Sequence, residues 1–123
     1  MENRIKMVLI VRKDLKMRTG KVGAQCGHAA SAFMKKKWLN NEAPSADELA
    51  WLQADEAKIC VYVNTEAELI AIHEAALAQG LASHLITDNG LTEFHGVKTK
   101  TCVAIGPANA ELINAITGSL PLL

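Results

Sequence analysis

Ile5-Lys6-Met7-Val8-Leu9-Ile10-Val11 is an almost unbroken apolar run rich in β-branched residues. That pattern marks a strand covered on both faces, since a strand with one wet face alternates apolar and polar residues. A doubly covered strand needs helices on either side of its sheet, and the rest of the chain supplies them. Arg12 to Thr19 reads as a basic loop, and Gly20 opens a helix running to about Trp38. Asn40 to Pro44 is a turn region. Ser45 followed by Glu48 makes a capping box that opens a short helix to about Gln53. Lys58 to Val63 is a second buried strand. Asn64-Thr65 with Glu68 starts a third helix, which Gly80 ends. Ala82 to Thr87 is a third strand, and Asp88-Asn89-Gly90 is a turn by composition. Leu91 to Lys98 is irregular. Thr99 to Ile105 is a fourth strand, ended by Gly106-Pro107. Asn109 caps a last helix through Ile116 to Gly118, and the apolar tail Ser119 to Leu123 is expected to dock on the domain. Alternating strands and helices give an α/β fold with parallel pairs. No helix separates the third and fourth strands, so the sheet is mixed. The expectation is a single three-layer domain over residues 1–123, with a four-stranded mixed β-sheet flanked by α-helices.

The bulk composition fits a globular chain. Its 123 residues, 50% hydrophobic and 21% charged, suffice for one domain with a real core. No apolar run is long enough to span a bilayer. The first strand starts within a few residues of Met1, so no signal or transit peptide is expected. Cys26, Cys60 and Cys102 are odd in number and form no CxxC pair, which argues against a disulfide framework and a zinc site. A cytoplasmic setting is expected, with no membrane partner and no metal.

Charge is distributed unevenly. Up to Lys37, ten bases face two acids; from Trp38 onward, three bases face eleven acids. This asymmetry suggests a polyanionic partner for the basic part. The competing reading, nearly as strong, is that the two parts neutralise each other in the fold. Aromatic residues make up only 4% of the chain, too few for a base-stacking platform, so an RNA partner would be held through phosphate and shape.

The helix from Gly20 sorts its residues by face. Lys21, Gln25 and His28 share one face with Lys35, while Val22, Cys26, Ala29 and Phe33 form the core side. Gly23 and Gly27 each cost a helix interior about 1 kcal/mol relative to alanine. Two such costs predict close approach by another backbone. In open α/β sheets ligands gather beyond the C-terminal ends of parallel strands. The basic loop, the start of this helix and Asp88 therefore belong on one rim.

Each candidate has a plainer reading beside it. Gly20-Lys21 lacks the upstream glycine and the Ser or Thr of a phosphate-binding loop, which argues against nucleotide hydrolysis there. Lys21 at a helix start still favours an anion, although a solvated lysine is the commoner case. Cys26 lies near the helix start but does not face His28, and a small buried cysteine is the better reading. For His28, structural and catalytic roles compete evenly. Most aspartates placed like Asp88 only hydrogen-bond their own turn. With Thr92, Thr99 and Thr101 nearby, a carboxylate, a lysine and hydroxyls would nevertheless suffice to activate a water and hold an oxyanion.

The residues also carry a family pattern. Arg12-Lys13-Asp14-Leu15-Lys16-Met17, Gly20-Lys21 and Ala24-Gln25-Cys26-Gly27-His28-Ala29 resemble the opening of the archaeal and eukaryotic, or type 2, peptidyl-tRNA hydrolases. Asp88-Asn89-Gly90-Leu91-Thr92, Thr99-Lys100-Thr101 and Ala104-Ile105-Gly106-Pro107 resemble a second signature of that family. Ile116-Thr117-Gly118-Ser119-Leu120 is similar to its C-terminus. Asn89 stands where the family usually has alanine.

The resemblance implies cleavage of the ester joining a stalled peptide to the terminal ribose of tRNA, with no cofactor. Carried over by position, it implies Lys21, Asp88, His28, Thr92 and Thr101 as catalytic residues and Gln25 as a substrate contact. Asp88 would position water and Lys21 would stabilise charge. Lys13, Lys16, Arg18 and the Lys35–Lys37 run would bind tRNA phosphates. A homodimer is left open. The alternatives are a non-catalytic RNA- or protein-binding relative of the same fold, and a thiol enzyme using Cys26.

Overall fold

The structure, a computed structural model, describes residues 4–91 and 93–123. Its strands are β1 (Ile5–Arg12), β2 (Lys58–Val63), β3 (Ser83–Asp88) and β4 (Thr99–Asn109). Its helices are α1 (Thr19–Leu39), α2 (Ala46–Gln53), α3 (Glu66–Ala78) and α4 (Ala110–Thr117). The sheet order is β2-β1-β4-β3. β1 pairs parallel with β2, while β4 runs antiparallel to both β1 and β3. The sheet is thus mixed, and β1, β2 and β3 all point the same way, so their C-terminal ends share one rim.

The layers follow from the apolar pattern. Residues of β1 alternate between two cores: Val8 and Ile10 face one, and Met7, Leu9 and Val11 the other. The first core takes Leu69 and Ala76 of α3 and Ile113 of α4. The second takes Ala29 and Phe33 of α1 and Trp51 of α2. Phe33 and Trp51 meet edge to face, with centroids 5.7 Å apart, an arrangement that suits the aromatic quadrupole. Helix starts are set as the sequence implies. Ser45 and Glu48 form the reciprocal capping box, Thr65 caps α3, and Asn109 caps α4. The tail docks along the outer edge of β2, with Pro121 O accepting from Tyr62 N–H and Leu123 N–H donating to Cys60 O.

Two expectations are corrected. Gly106-Pro107 does not end the fourth strand, which continues to Asn109 across a register shift, pairing Ala108 with Lys6 and Asn109 with Ile5. Gly106 adopts φ +103, and a Cβ there would stand 2.6 Å from Lys6 O, so the close backbone approach in this fold lies here. By contrast, Gly23 and Gly27 are exposed, and a Cβ at either would meet nothing within 4 Å. They lie on the outer side of α1, away from the sheet, so the predicted backbone contact is absent. Nothing in the structure explains these two glycines.

Candidate active site

β3 ends at Asp88 on the shared rim, and α1 begins beside it after crossing from β1. Helical spacing then aims Lys21 and Gln25 at the same carboxylate. Lys21 Nζ lies 2.9 Å and Gln25 Nε2 3.2 Å from Asp88 Oδ1. The Gly90 backbone N–H donates to Asp88 Oδ2 at 2.8 Å. Behind them, the buried Thr101 hydroxyl of β4 donates to Gln25 Oε1 at 2.5 Å. The result is a directed chain from Thr101 through Gln25 to Asp88. The ionised carboxylate can only accept, so the Gln25 NH₂ must face Asp88, which leaves the amide oxygen to accept from the Thr101 hydroxyl.

The Lys21 hydrogen bond holds the Asp88 carboxyl below its ordinary value of 3.8, against the opposing effect of partial burial; Gly90 N–H, the Lys21 charge and the Gln25 amide add to the lowering. Asp88 is therefore an ionised, firmly oriented acceptor at neutral pH. Such a group is a weak base but a good anchor for a polar molecule. The Lys21 ammonium also lies 5.8 Å from the centroid of the Phe94 ring, within range of a cation–π attraction.

The pair sits between two depressions. A cleft of about 510 Å³ runs from Asp88 and Asn89 along α1, lined on the helix by Gln25, His28, Ala32 and Lys35. On the other side, Lys16 and Arg18 line a depression of about 460 Å³ with Leu91, Glu93, Phe94 and His95. The expected catalytic group thus splits. Lys21, Asp88, Gln25 and Thr101 are joined by hydrogen bonds. His28 is exposed in the first cleft, and Thr92 lies outside the described residues. Thr99 donates to Val97 O instead of joining the site.

The basic residues split as well. Lys13, Lys16, Arg18, Lys35 and Lys36 are exposed. Lys37 is bound to Glu48 at 2.5 Å and Arg18 approaches Glu93 at 3.5 Å, so part of the charge asymmetry is cancelled within the fold. Lys13 Nζ rests 4.3 Å from the Tyr62 ring centroid. Cys26 packs on the core side, as expected, close to Cys102 and Cys60. Hydrogen bonding with Cys102 outweighs burial and, aided by Cys60, lowers the Cys26 thiol to about 7. The hydrogen bond with Cys26, followed by burial, pushes the Cys102 thiol up.

Gly90 and Phe94 did not emerge from the sequence as site residues. Gly90 is buried at φ +83, and a Cβ there would collide with the Val97 carbonyl. Phe94, His95 and Gly96 follow with φ of 53, 50 and 78. Successive left-handed residues are costly for side chains other than glycine, and they fold this loop back over Lys21. The Asp88-Asn89-Gly90 turn composition was the available signal for Gly90.

Comparison with known proteins gives one answer. Residues 5–123 match the family model described as peptidyl-tRNA hydrolase PTH2. The chain is 45% identical to a peptidyl-tRNA hydrolase of Methanocaldococcus jannaschii, over 97% of this chain and 100% of that one. It is 41% identical to a peptidyl-tRNA hydrolase of Methanopyrus kandleri, over 96% and 97% of the respective chains. A solved structure of a protein of unknown function from Agrobacterium tumefaciens shares the fold, with a TM-score of 0.62 at 12% identity, covering 100% of this chain and 99% of that one. The chain belongs to the peptidyl-tRNA hydrolase PTH2 family, a family of ester-hydrolysing enzymes.

Proposed function

We propose that this chain hydrolyses the ester of peptidyl-tRNA, releasing peptide and free tRNA, by a water positioned on Asp88 with Lys21 stabilising the developing oxyanion. The observation that carries the reading is the Thr101–Gln25–Asp88–Lys21 chain at the mouth of an open cleft. Each carboxylate oxygen has two lone-pair directions, so Asp88 retains capacity to accept from a water after binding Gly90, Gln25 and Lys21. Its lowered pKa favours orienting that water over keeping its proton. As the water oxygen bonds to the ester carbon, the bond to the ribose oxygen breaks, and the released proton ends on that ribose oxygen. Negative charge that builds on the carbonyl oxygen is offset by the Lys21 ammonium.

The loop carrying Lys13, Lys16 and Arg18 adjoins the second depression and would hold tRNA phosphates. Lys35 stands across the site in the first cleft, apart from that group. The test is release of N-blocked amino acid from charged tRNA by the purified protein, wild type beside Asp88→Asn. Cleavage by the wild type that the variant lacks, at similar tRNA affinity, supports the assignment. Absence of cleavage by the wild type would favour a non-catalytic RNA-binding role.

A further inference from the structure

The two edges of the sheet are treated differently. The edge of β2 is covered by the chain's own tail, through Val61 and Leu122, Tyr62 and Pro121, and Cys60 and Leu123. No described segment pairs with the outer edge of β3. An open strand edge is a row of unpaired main-chain donors and acceptors that recruits other extended chains. Here the edge forms one wall of the 510 Å³ cleft that starts at Asp88. Leu85, Ile86, Thr87, Asp88 and Asn89 all line it. Consecutive residues of a strand can line one space only if the main-chain edge itself faces it, since side chains alternate between faces.

The ladder also indicates which groups point outward. Gly106 N–H donates to Ala82 O, and the register then pairs His84 with Ala104 and Ile86 with Cys102. In an antiparallel ladder alternate residues turn both main-chain groups toward the partner. His84 and Ile86 thus face β4, and the N–H and C=O of Leu85 point away from the sheet into the cleft.

We infer that the peptide part of the substrate binds as an added strand on the edge of β3, read through its main chain. This rests on the proposed hydrolysis at Asp88. Because the scissile ester is at the peptide's C-terminus, that end lies at Asp88 and the chain runs back toward Ser83, parallel to β3. Leu85 N–H then donates to a peptide carbonyl, and Leu85 O accepts from a peptide N–H two residues further along. Main-chain recognition suits the substrate class, since a stalled peptide has no fixed sequence and an edge strand supplies affinity without demanding particular side chains. The span from Leu85 to Asn89 is about 13 Å, enough for about four extended residues. The walls offered to peptide side chains are mostly small or flexible, with Ala32, Leu39 and the stems of Lys35 and Lys36 on α1.

The experiment uses the wild-type protein and a series of tRNAs carrying N-acetylated peptides of one to six residues with the same esterified residue. A second series carries one N-methylated amide at each position in turn. The expected result is a rise in kcat/KM with length that levels off at about four residues. N-methylation should cost about fivefold at every second amide, from loss of one hydrogen bond, and little at those between. A flat length response, or equal losses at all positions, would overturn the added strand. If N-acetylaminoacyl-tRNA is cleaved while the length response is flat, the hydrolase reading stands and this inference falls. If nothing in the series is cleaved, both fall. A flat response together with loss of tRNA affinity in Lys36→Gln would assign the cleft to nucleotides instead.

Discussion

Lys21 Nζ lies 2.9 Å from Asp88 Oδ1, joining the first turn of α1 to the last residue of β3 across 67 residues of sequence. Both side chains are mostly shielded, at 13% and 11% exposure. Each is the other's ion-pair partner at the site, so the two should behave as one unit. Asp88→Asn and Lys21→Met should each lower kcat on the order of 10²–10³-fold. The double variant should be little worse than either single one, as found for groups that act together. Steady-state kinetics on N-blocked aminoacyl-tRNA checks this. Losses that multiply in the double variant would show two independent roles.

The direction of the Asp88 shift makes a second prediction. Its carboxyl titrates below 3.8 in the folded protein, chiefly because of the Lys21 hydrogen bond. A folded pKa below the unfolded one stabilises the fold above the unfolded value, and that contribution is lost as pH falls through the folded pKa. Activity should therefore show no acid limb from Asp88 above pH 3.8. In Lys21→Gln the main cause is removed while partial burial remains, so the midpoint should move up. Carbon-13 NMR of the labelled carboxyl reads both midpoints. An unchanged midpoint in Lys21→Gln would contradict the electrostatic coupling.

Much of this was legible in the sequence, for identifiable reasons. The run Ile5–Val11 announces a doubly covered strand, and parallel strands place their C-terminal ends on one rim. Asp88 and Lys21 could be brought together on that basis before any distance was known. The end of β4 was not legible. Gly106-Pro107 breaks a strand by composition, and only pairing of Ala108 and Asn109 with β1 carries it onward. The left-handed path of Phe94–Gly96 over Lys21 depends on tertiary closure that composition does not encode. Lys37 looked like one more phosphate ligand because its partner Glu48 is supplied by the packing of α2 on α1.

The outward glycines of α1 allow a stability test. A Cβ at Gly23 or Gly27 meets open space, and neither has a φ in the left-handed region. Alanine there should gain helix propensity with no steric loss. Gly23→Ala and Gly27→Ala should each raise stability by about 0.5–1 kcal/mol, read by urea denaturation. A loss of stability would mean that a neighbour approaches this face. If stability rises while tRNA affinity drops, the smooth face serves the nucleic acid.

Salt dependence tests the placement of the phosphate track. Each phosphate contact to a single strand contributes about −0.7, and to a duplex about −0.9, to the slope of log K against log salt. Lys16 and Lys13 are exposed on the loop before α1. Lys16→Ala should reduce the slope by about one such step and weaken all tRNAs alike. Lys37→Ala should leave the slope unchanged, because its charge is already spent on Glu48. Fluorescence anisotropy with labelled tRNA over a salt series measures both. Equal effects of the two variants would remove the distinction.

Thr101 provides the most specific test of the hydrogen-bond chain. It is 0% exposed and donates to Gln25, itself 1% exposed. Thr101→Val keeps the shape and removes the donor. The buried amide oxygen is then unpartnered, at a cost of about 1–3 kcal/mol in stability. The amide also loses the bond that holds its NH₂ in line with the Asp88 carboxylate. Asp88 would lose one of its three anchors, and kcat should fall on the order of tenfold with little change in KM. Thr101→Ser restores the donor but not the methyl group. It should recover most of kcat while remaining about 1 kcal/mol less stable than wild type. A merely structural Thr101 would show the opposite ordering, with Val retaining activity better than Ser.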